Sequence, residues 1–230
     1  MLSLIVIIIL SYIVGSIPSS LWVGRVFKKI DLREHGSGNL GATNTFRILG
    51  WKAGAVVSLI DFVKGFTAAF YISQLGYLVG DIPVILSGWE TDVFVRIMAG
   101  LFAVVGHMFS FLAGFRGGKG VLTACGMLYG VEPISISLAL AVFLILLFTT
   151  RYVSLASILS TASYPLFLLT LRYIIGVSYV DGSLIVIASV IAAGIVFKHH
   201  ENIKRLMEGT ESRIQSFAPS KGRINEEKAT

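Results

Sequence analysis

The sequence predicts an all-α, polytopic membrane protein with about seven transmembrane helices, its N-terminus outside and its C-terminus in the cytoplasm. Three observations carry that expectation. Hydrophobic residues make up 55% of the 230-residue chain and charged residues only 14%, a balance outside that of soluble domains, which could not hide so much apolar surface. The apolar residues fall in several runs of the kind that crosses about 30 Å of hydrocarbon as helix, roughly 17 to 25 residues each. Lys and Arg collect in alternate connecting segments, hence on one face of the membrane, as the positive-inside rule requires.

Spans are expected near residues 3–23, 54–75, 94–114, 121–132, 134–150, 153–171 and 182–198. The first is N-terminal and apolar like a signal peptide. It lacks a basic start and a small-residue cleavage site and runs into Ile17-Pro18-Ser19-Ser20, so it reads as a retained helix. The fourth is short, with Gly120 at its edge, Gly126 and Gly130 within and Pro133 beyond, which predicts a tilted or partial crossing. Residues 1–214 read as a single membrane domain, and the polar, charged residues 215–230 as a disordered tail.

With seven crossings, one face collects Arg25, Lys28, Lys29, Arg33, Arg47, Lys52, Arg116, Lys119, Arg151 and every basic residue from Lys198 onward. The other receives Arg96 and Arg172 beside Asp81, Glu90, Asp92, Glu132 and Asp181. An even number of crossings would destroy this segregation. The net charge of +6 is spread over the basic face without aromatic interleaving, so no nucleic-acid partner is expected. Cys125 is the single cysteine and lies in an apolar run, which excludes a disulfide framework and a cysteine zinc site.

Three polar stretches interrupt the apolar chain, and all three fall on the basic face. The first is Gly36-Ser-Gly-Asn-Leu-Gly-Ala-Thr-Asn44 with Arg47. Its small residues let backbone N–H groups close on an oxyanion as a concave nest, and Arg47 can add a bidentate fork. The same composition also suits a flexible turn-rich loop. The second, Gly117-Gly-Lys-Gly120, lies ahead of a helix start, where free N–H groups and the helix dipole favour an anion and Lys119 supplies a point charge. It is not a nucleotide P-loop, because Gly120 follows the lysine and Ala113 stands at the upstream glycine position. The third is Lys198-His-His-Glu-Asn202 with Lys204 and Arg205; His199 and Asn202, three apart, would share one helical face.

Polar groups inside the apolar runs supply a supporting cast. His107 lies in the third span and is expected to face the bundle interior and brace the pocket by hydrogen bonding. Asp61 and Lys64, three apart in the second span, are expected either to pair with one another or to let Lys64 reach the site. Ser154 and Ser157 follow Arg151 on one face at the start of the sixth span; serines there also serve plain helix packing.

Together these stretches resemble a known family. Ser37-Gly-Asn-Leu-Gly-Ala-Thr-Asn-Thr-Phe-Arg47, Gly106-His-Met-Phe109 with Phe115-Arg-Gly-Gly-Lys-Gly-Val121, Arg151-Tyr-Val-Ser-Leu-Ala-Ser157, and His199-His-Glu-Asn-Ile-Lys-Arg-Leu206 followed by Gly209-Thr-Glu211 are similar, in order, to the signature segments of the bacterial acyl-phosphate:glycerol-3-phosphate acyltransferases. The similarity runs from Gly15 to about Ile214. It implies an enzyme of the bacterial inner membrane, with its site on the cytoplasmic side. That enzyme moves a fatty acyl group from acyl phosphate to the 1-hydroxyl of glycerol 3-phosphate, releasing lysophosphatidic acid and inorganic phosphate for phospholipid synthesis. It further implies Ser37, Lys119, His199 and Asn202 as catalytic residues, with Gly38, Asn39, Gly41, Ala42, Thr43, Asn44 and Arg47 around the substrates; the reading of the residues themselves adds Gly117, Gly118, Ser154 and Ser157 around the substrates and Asp61, Lys64 and His107 in support. Neither metal nor cofactor is implied; the partners are the two substrates, membrane lipid and, functionally, the enzyme that makes acyl phosphate. Three departures stand out: Arg116 for a common lysine, Ser110 for a common proline, and a long outer segment from Gly80 to Val93.

The residues ask for compatible chemistry. Acyl phosphate carries its own leaving group, so the protein's task is to neutralise phosphate and hold a hydroxyl at attack distance. No Gly-x-Ser-x-Gly elbow offers a nucleophile, and none of His35, His107, His199 or His200 has an Asp five residues on, which removes the pattern of acyltransferases that use acyl-CoA or acyl carrier protein. Either His199 or the substrate's own phosphate could take the proton; surrounding cations would keep His199 weakly basic and favour the phosphate. A carrier of organophosphates would show internal repeats and a midplane site, and a phosphatidyltransferase would need clustered aspartates where the basic-face loops hold only Asp31.

Overall fold

In the computed structural model the chain is described over residues 2–79, 91–177, 180 and 182–214. Among them lie eleven α-helices and no strand: α1 (Leu2–Gly15), α2 (Ser19–Lys28), α3 (Ala42–Leu49), α4 (Trp51–Phe70), α5 (Leu75–Val79), α6 (Thr91–Met108), α7 (Val121–Val131), α8 (Pro133–Thr150), α9 (Val153–Leu169), α10 (Gly182–Lys198) and α11 (His200–Met207). Most of the expected outer segment, and the whole C-terminal tail, lie outside the described residues.

Five segments are long and apolar enough to cross a membrane: Leu2–Lys28, Trp51–Tyr77, Thr91–Ala113, Pro133–Thr150 and Val153–Ile175. A sixth arises if α10 and α11 are joined across a 58° bend. The remaining apolar helix is α7, whose 11 residues rise only about 16 Å, so the short fourth segment cannot bridge the hydrocarbon by itself. Among the described residues there are thus five to six full spans by length, with α7 as the short, partial crossing, where the sequence suggested about seven. It also breaks the expected first span, because α1 ends at Gly15 and α2 begins at Ser19. Pro18 has no N–H to continue the ladder and disfavours helical backbone at Ile17.

Helix α4 is the hub, packing against α7, α3, α6 and α2. Its closest crossing rests on a reciprocal pair of glycines. A Cβ on Gly65 would collide with the Thr123 carbonyl oxygen, and one on Gly126 with that of Phe62, so each backbone fills the notch the other leaves. The α1–α6 crossing repeats the device with Gly15 against Ala103 and Gly106 against Tyr12.

Buried apolar residues form two main clusters. One runs through α4, α6, α7, α8, α9 and α10, with Ile97, Met127, Leu168 and Leu184 at its heart. The other, built from Leu21, Leu32, Leu40, Ile48, Leu49, Ala53, Val57 and Ala113, binds α2, α3 and the start of α4 to the first polar stretch. This second cluster anchors Leu32 and Leu40 on either side of the Gly36–Asn39 turn, and thereby fixes where that turn sits.

Candidate active site at the polar end of the bundle

The first polar stretch is organised from within by Asn44. Its side chain is 1% exposed; Oδ1 accepts from the Ser37 N–H at 3.1 Å, and Nδ2 donates to the carbonyls of His35 at 3.0 Å and Leu32 at 3.3 Å. Both amide donors are thereby spent, so Asn44 shapes the loop and presents no donor outward. Gly38 takes φ +68°, a left-handed turn a side chain would strain. Gly41 caps α3 with no side-chain acceptor, leaving first-turn N–H groups around Ala42 and Thr43 for an anion. Ser37 and Thr43 are exposed, and Gly38, Asn39, Gly41, Ala42 and Arg47 half-buried. Beside the loop, the guanidinium of Arg33 forks onto Asp31, holding that carboxyl at about 2, and also donates to the Ala113 carbonyl at 3.4 Å.

The glycine turn rests directly on the first loop. The Gly118 N–H donates to the His107 carbonyl at 3.2 Å, and a Cβ at Gly118 would strike both the His107 ring at Nε2 and the Leu40 carbonyl oxygen. Gly117 is as tightly held against the His107 backbone. Gly120, at φ +81°, opens α7 without a side-chain cap. Ser110 closes the other end of the turn: its hydroxyl donates to Ser16 and its carbonyl accepts from the Phe115 N–H at 2.7 Å.

The third stretch meets the turn through Lys119, whose ammonium donates to Asn202 Oδ1. Asn202 Nδ2 in turn donates to Glu211 at 2.8 Å, joined there by Ser154 Oγ at 2.7 Å and by Arg205 Nε at 2.7 Å. Ser157 lies buried one turn beyond Ser154 on the same face of α9. His199 does not sit on one helix with Asn202: it occupies the break between α10 and α11. Its Nδ1 lies 2.8 Å from the Ile195 carbonyl, which only accepts, so Nδ1 carries the proton and the neutral ring keeps its lone pair at Nε2.

Beneath the turn, the buried ionisable groups form one chain. Lys64 pairs with Asp61 at 2.9 Å, lies 2.7 Å from His107 Nδ1 and donates to the Ile17 carbonyl at 3.1 Å, while Ser19 Oγ donates to Asp61 at 2.6 Å. Of the two sequence expectations for Lys64, the mutual pair is the one that forms.

At the water-facing side, charge sets proton affinity. Burial, then nearby Arg205, pulls Lys119 down to about 8, against Glu211 and Glu201. Burial also lowers His199, with Lys119 adding to the effect. Burial pushes Glu211 up, but the bonds from Ser154, Asn202 and Arg205 outweigh it and hold the carboxyl below its ordinary value.

The profile of the family described as glycerol-3-phosphate acyltransferase matches residues 5–209. The chain belongs to that family. It is 44% identical over 226 residues to the glycerol-3-phosphate acyltransferase of Salinibacter ruber, covering 97% of this chain and 98% of the relative. It is 43% identical to that of Chlorobium chlorochromatii over 93% of this chain and 98% of the relative. The fold agrees with the crystal structure of PlsY, described as an integral membrane glycerol 3-phosphate acyltransferase, in its glycerol 3-phosphate form. The TM-score is 0.74 at 37% identity, over 92% of this chain and 96% of the other. A lysophosphatidic acid form of PlsY superposes equally well. Like these acyltransferases, the chain is a multi-pass integral membrane protein.

Within this acyltransferase family frame, the structure joins Lys119, Asn202 and Ser154 in one network through Glu211, sets His199 near Lys119, and butts Gly118 against Leu40 in the loop that carries Ser37 and leads into α3 with Arg47. The residue that sequence reasoning missed as a site residue is Glu211, whose carboxylate ties α9 to α11. The signal was present in Gly209-Thr-Glu211, but nothing in a linear sequence announces a bond to Ser154, 57 positions away.

Proposed function

We propose that the chain transfers a fatty acyl group from acyl phosphate to the 1-hydroxyl of glycerol 3-phosphate, giving lysophosphatidic acid and inorganic phosphate. The observation that carries the reading is the meeting of Lys119, Asn202 and Ser154 with the glycine turn, on the face where the first loop opens its N–H groups. Lys119, Arg47 and the N-termini of α3 and α7 neutralise phosphate charge, and Ser37, His199 and Asn202 orient the attacking hydroxyl. The hydroxyl oxygen bonds to the acyl carbon, the carbon–oxygen bond to phosphate breaks, and phosphate departs with the electron pair. The lowered affinity of His199 for protons makes it a weak base, so the hydroxyl proton passes to a substrate phosphate, with His199 as an orienting group. The site faces the cytoplasm and the N-terminus lies outside, a reading supported by the basic residues around all three stretches. A bacterial inner-membrane location and supply by an acyl-phosphate-forming enzyme fit the same chemistry.

The test is purified protein in lipid with synthetic acyl phosphate and glycerol 3-phosphate, scored for phosphate release and lysophosphatidic acid. Turnover is expected with acyl phosphate and without added divalent metal; robust turnover with acyl-CoA, or loss on chelation, sinks the assignment. A phosphonate analogue of glycerol 3-phosphate with a different second pKa should shift the pH profile. An unmoved profile together with a His199-dependent titration would instead make His199 the base.

A further inference from the structure

The chain Ser19–Asp61–Lys64–His107 lies buried beneath the glycine turn. Asp61 is 1% exposed, Lys64 3% and His107 7%, and ionisable groups buried at this depth in a membrane bundle are costly unless they perform a task. Its contacts reveal where that task lies. Lys64 holds the α1–α2 break through the Ile17 carbonyl, and Ser19 at the start of α2 holds Asp61. At the far end, His107 carries Gly118 on its backbone carbonyl and packs its ring at Nε2 against the same glycine, whose other side meets Leu40. One polar chain thus ties α2, α4 and α6 to the seam between the two anion loops.

The hydrogen-bond roles along this chain are fixed. An ammonium has only donors. With Lys64 ion-paired to Asp61 at 2.9 Å, its 2.7 Å contact with His107 makes Nδ1 the acceptor, and the 3.5 Å separation of Nδ1 from Asp61 is too long to compete. His107 is then the neutral tautomer with its proton on Nε2, the edge that faces Gly118. The ring packs against the turn from below at that edge, and Lys119 is the next residue.

We propose that Asp61, Lys64 and His107 are positioning residues for acyl transfer: Lys64 sets the His107 tautomer, and His107 sets the height of the Gly117–Gly120 turn against the first loop, and so the place of the Lys119 charge. The inference rests on the reading of that turn as a phosphate cradle. Catalysis is sensitive to such placement, since a shift of about 1 Å in a positioning element costs on the order of a hundredfold.

The deciding variant is Asp61→Leu with Lys64→Met, which removes both charges together and leaves neither buried alone, a replacement that is often neutral or stabilising. Full-length protein in lipid is compared with wild type for melting temperature, for amide exchange in residues 36–44 and 114–122, and for the KM and kcat of glycerol 3-phosphate. The expected result is a retained melting transition, with faster exchange confined to those two segments and kcat/KM lower by roughly ten- to a hundredfold. A folded double variant with wild-type exchange and kcat/KM overturns the proposal. Should that variant not fold, His107→Gln against His107→Ala decides. Glutamine can accept from Lys64 and still fill the space beneath Gly118, so it should recover most of the activity that alanine loses at equal melting temperature; equal behaviour of the two overturns the proposal. Wild-type protein that fails to transfer acyl groups would refute the functional reading alone, because the exchange comparison does not depend on turnover.

Discussion

Two polar networks flank the glycine turn, and they differ in kind. Below it, Asp61 and Lys64 balance one negative charge against one positive charge in a sealed interior. Above it, Lys119, Arg205 and Lys198 gather around Glu211 and Glu201, so cations outnumber carboxylates where water enters. A balanced pair has no use for a ligand. An unbalanced group lacks an anion, and there burial leaves Lys119 with a proton it can lose near neutrality. Charge paired in the bundle interior thus differs in kind from unmatched charge at the exposed edge, and in the proposed reading only the latter meets substrate.

The largest effect should come from unbalancing the lower network. Asp61→Ala strands the Lys64 ammonium in the bundle, where breaking a buried pair costs about 3–5 kcal/mol. The expected outcome is a large drop in melting temperature or loss of folded protein, and an unchanged transition would erase the distinction between the networks. The upper network should respond in the opposite sense. Lys119→Ala and Arg47→Ala should leave melting nearly unchanged but lower kcat/KM at least about tenfold, since a charge-assisted hydrogen bond is worth roughly 1.5–3 kcal/mol. Near-wild-type rates at low substrate would assign both cations to topology alone.

A subtler effect lies in pH. Because Lys119 is lowered to about 8, it is a cation below that pH and loses its charge as pH rises through it, so KM for the phosphorylated substrate should climb on that limb. Lys119→Arg, which stays charged throughout, should flatten the climb, and an identical limb in both proteins would place its origin elsewhere. The smallest effect belongs to Ser154→Ala. Glu211 would keep Asn202 and Arg205, so one of the three bonds to its carboxylate is lost while the other two hold it in place. A loss in kcat greater than that of Lys119→Ala would show that Ser154 touches substrate.

The helical architecture was legible because apolar runs announce themselves over many residues, and the pairing of Asp61 with Lys64 was one of the two uses their spacing left open. The interruption at Pro18 was less legible, since apolar residues continue on both sides and hydropathy outweighs one missing N–H. Asn44 read as a ligand for substrate because its amide suits an anion nest equally well; only its burial against Leu32, His35 and Ser37 separates the uses. The seat of Gly118 between His107 and Leu40 depends on contacts among three distant segments, which no local pattern encodes.

The half-length of α7 has a consequence for biogenesis. Eleven residues offer too little apolar length to partition into a bilayer alone, so α7 must be inserted as one arm of a hairpin with α8, which follows directly at Pro133. Its seat on α4, where Gly65 and Gly126 interlock, is synthesised earlier and stands ready. The glycine turn at the head of α7 thus takes its shape only when the hairpin docks, and a nascent chain completes that turn late, after the membrane anchor is already in place.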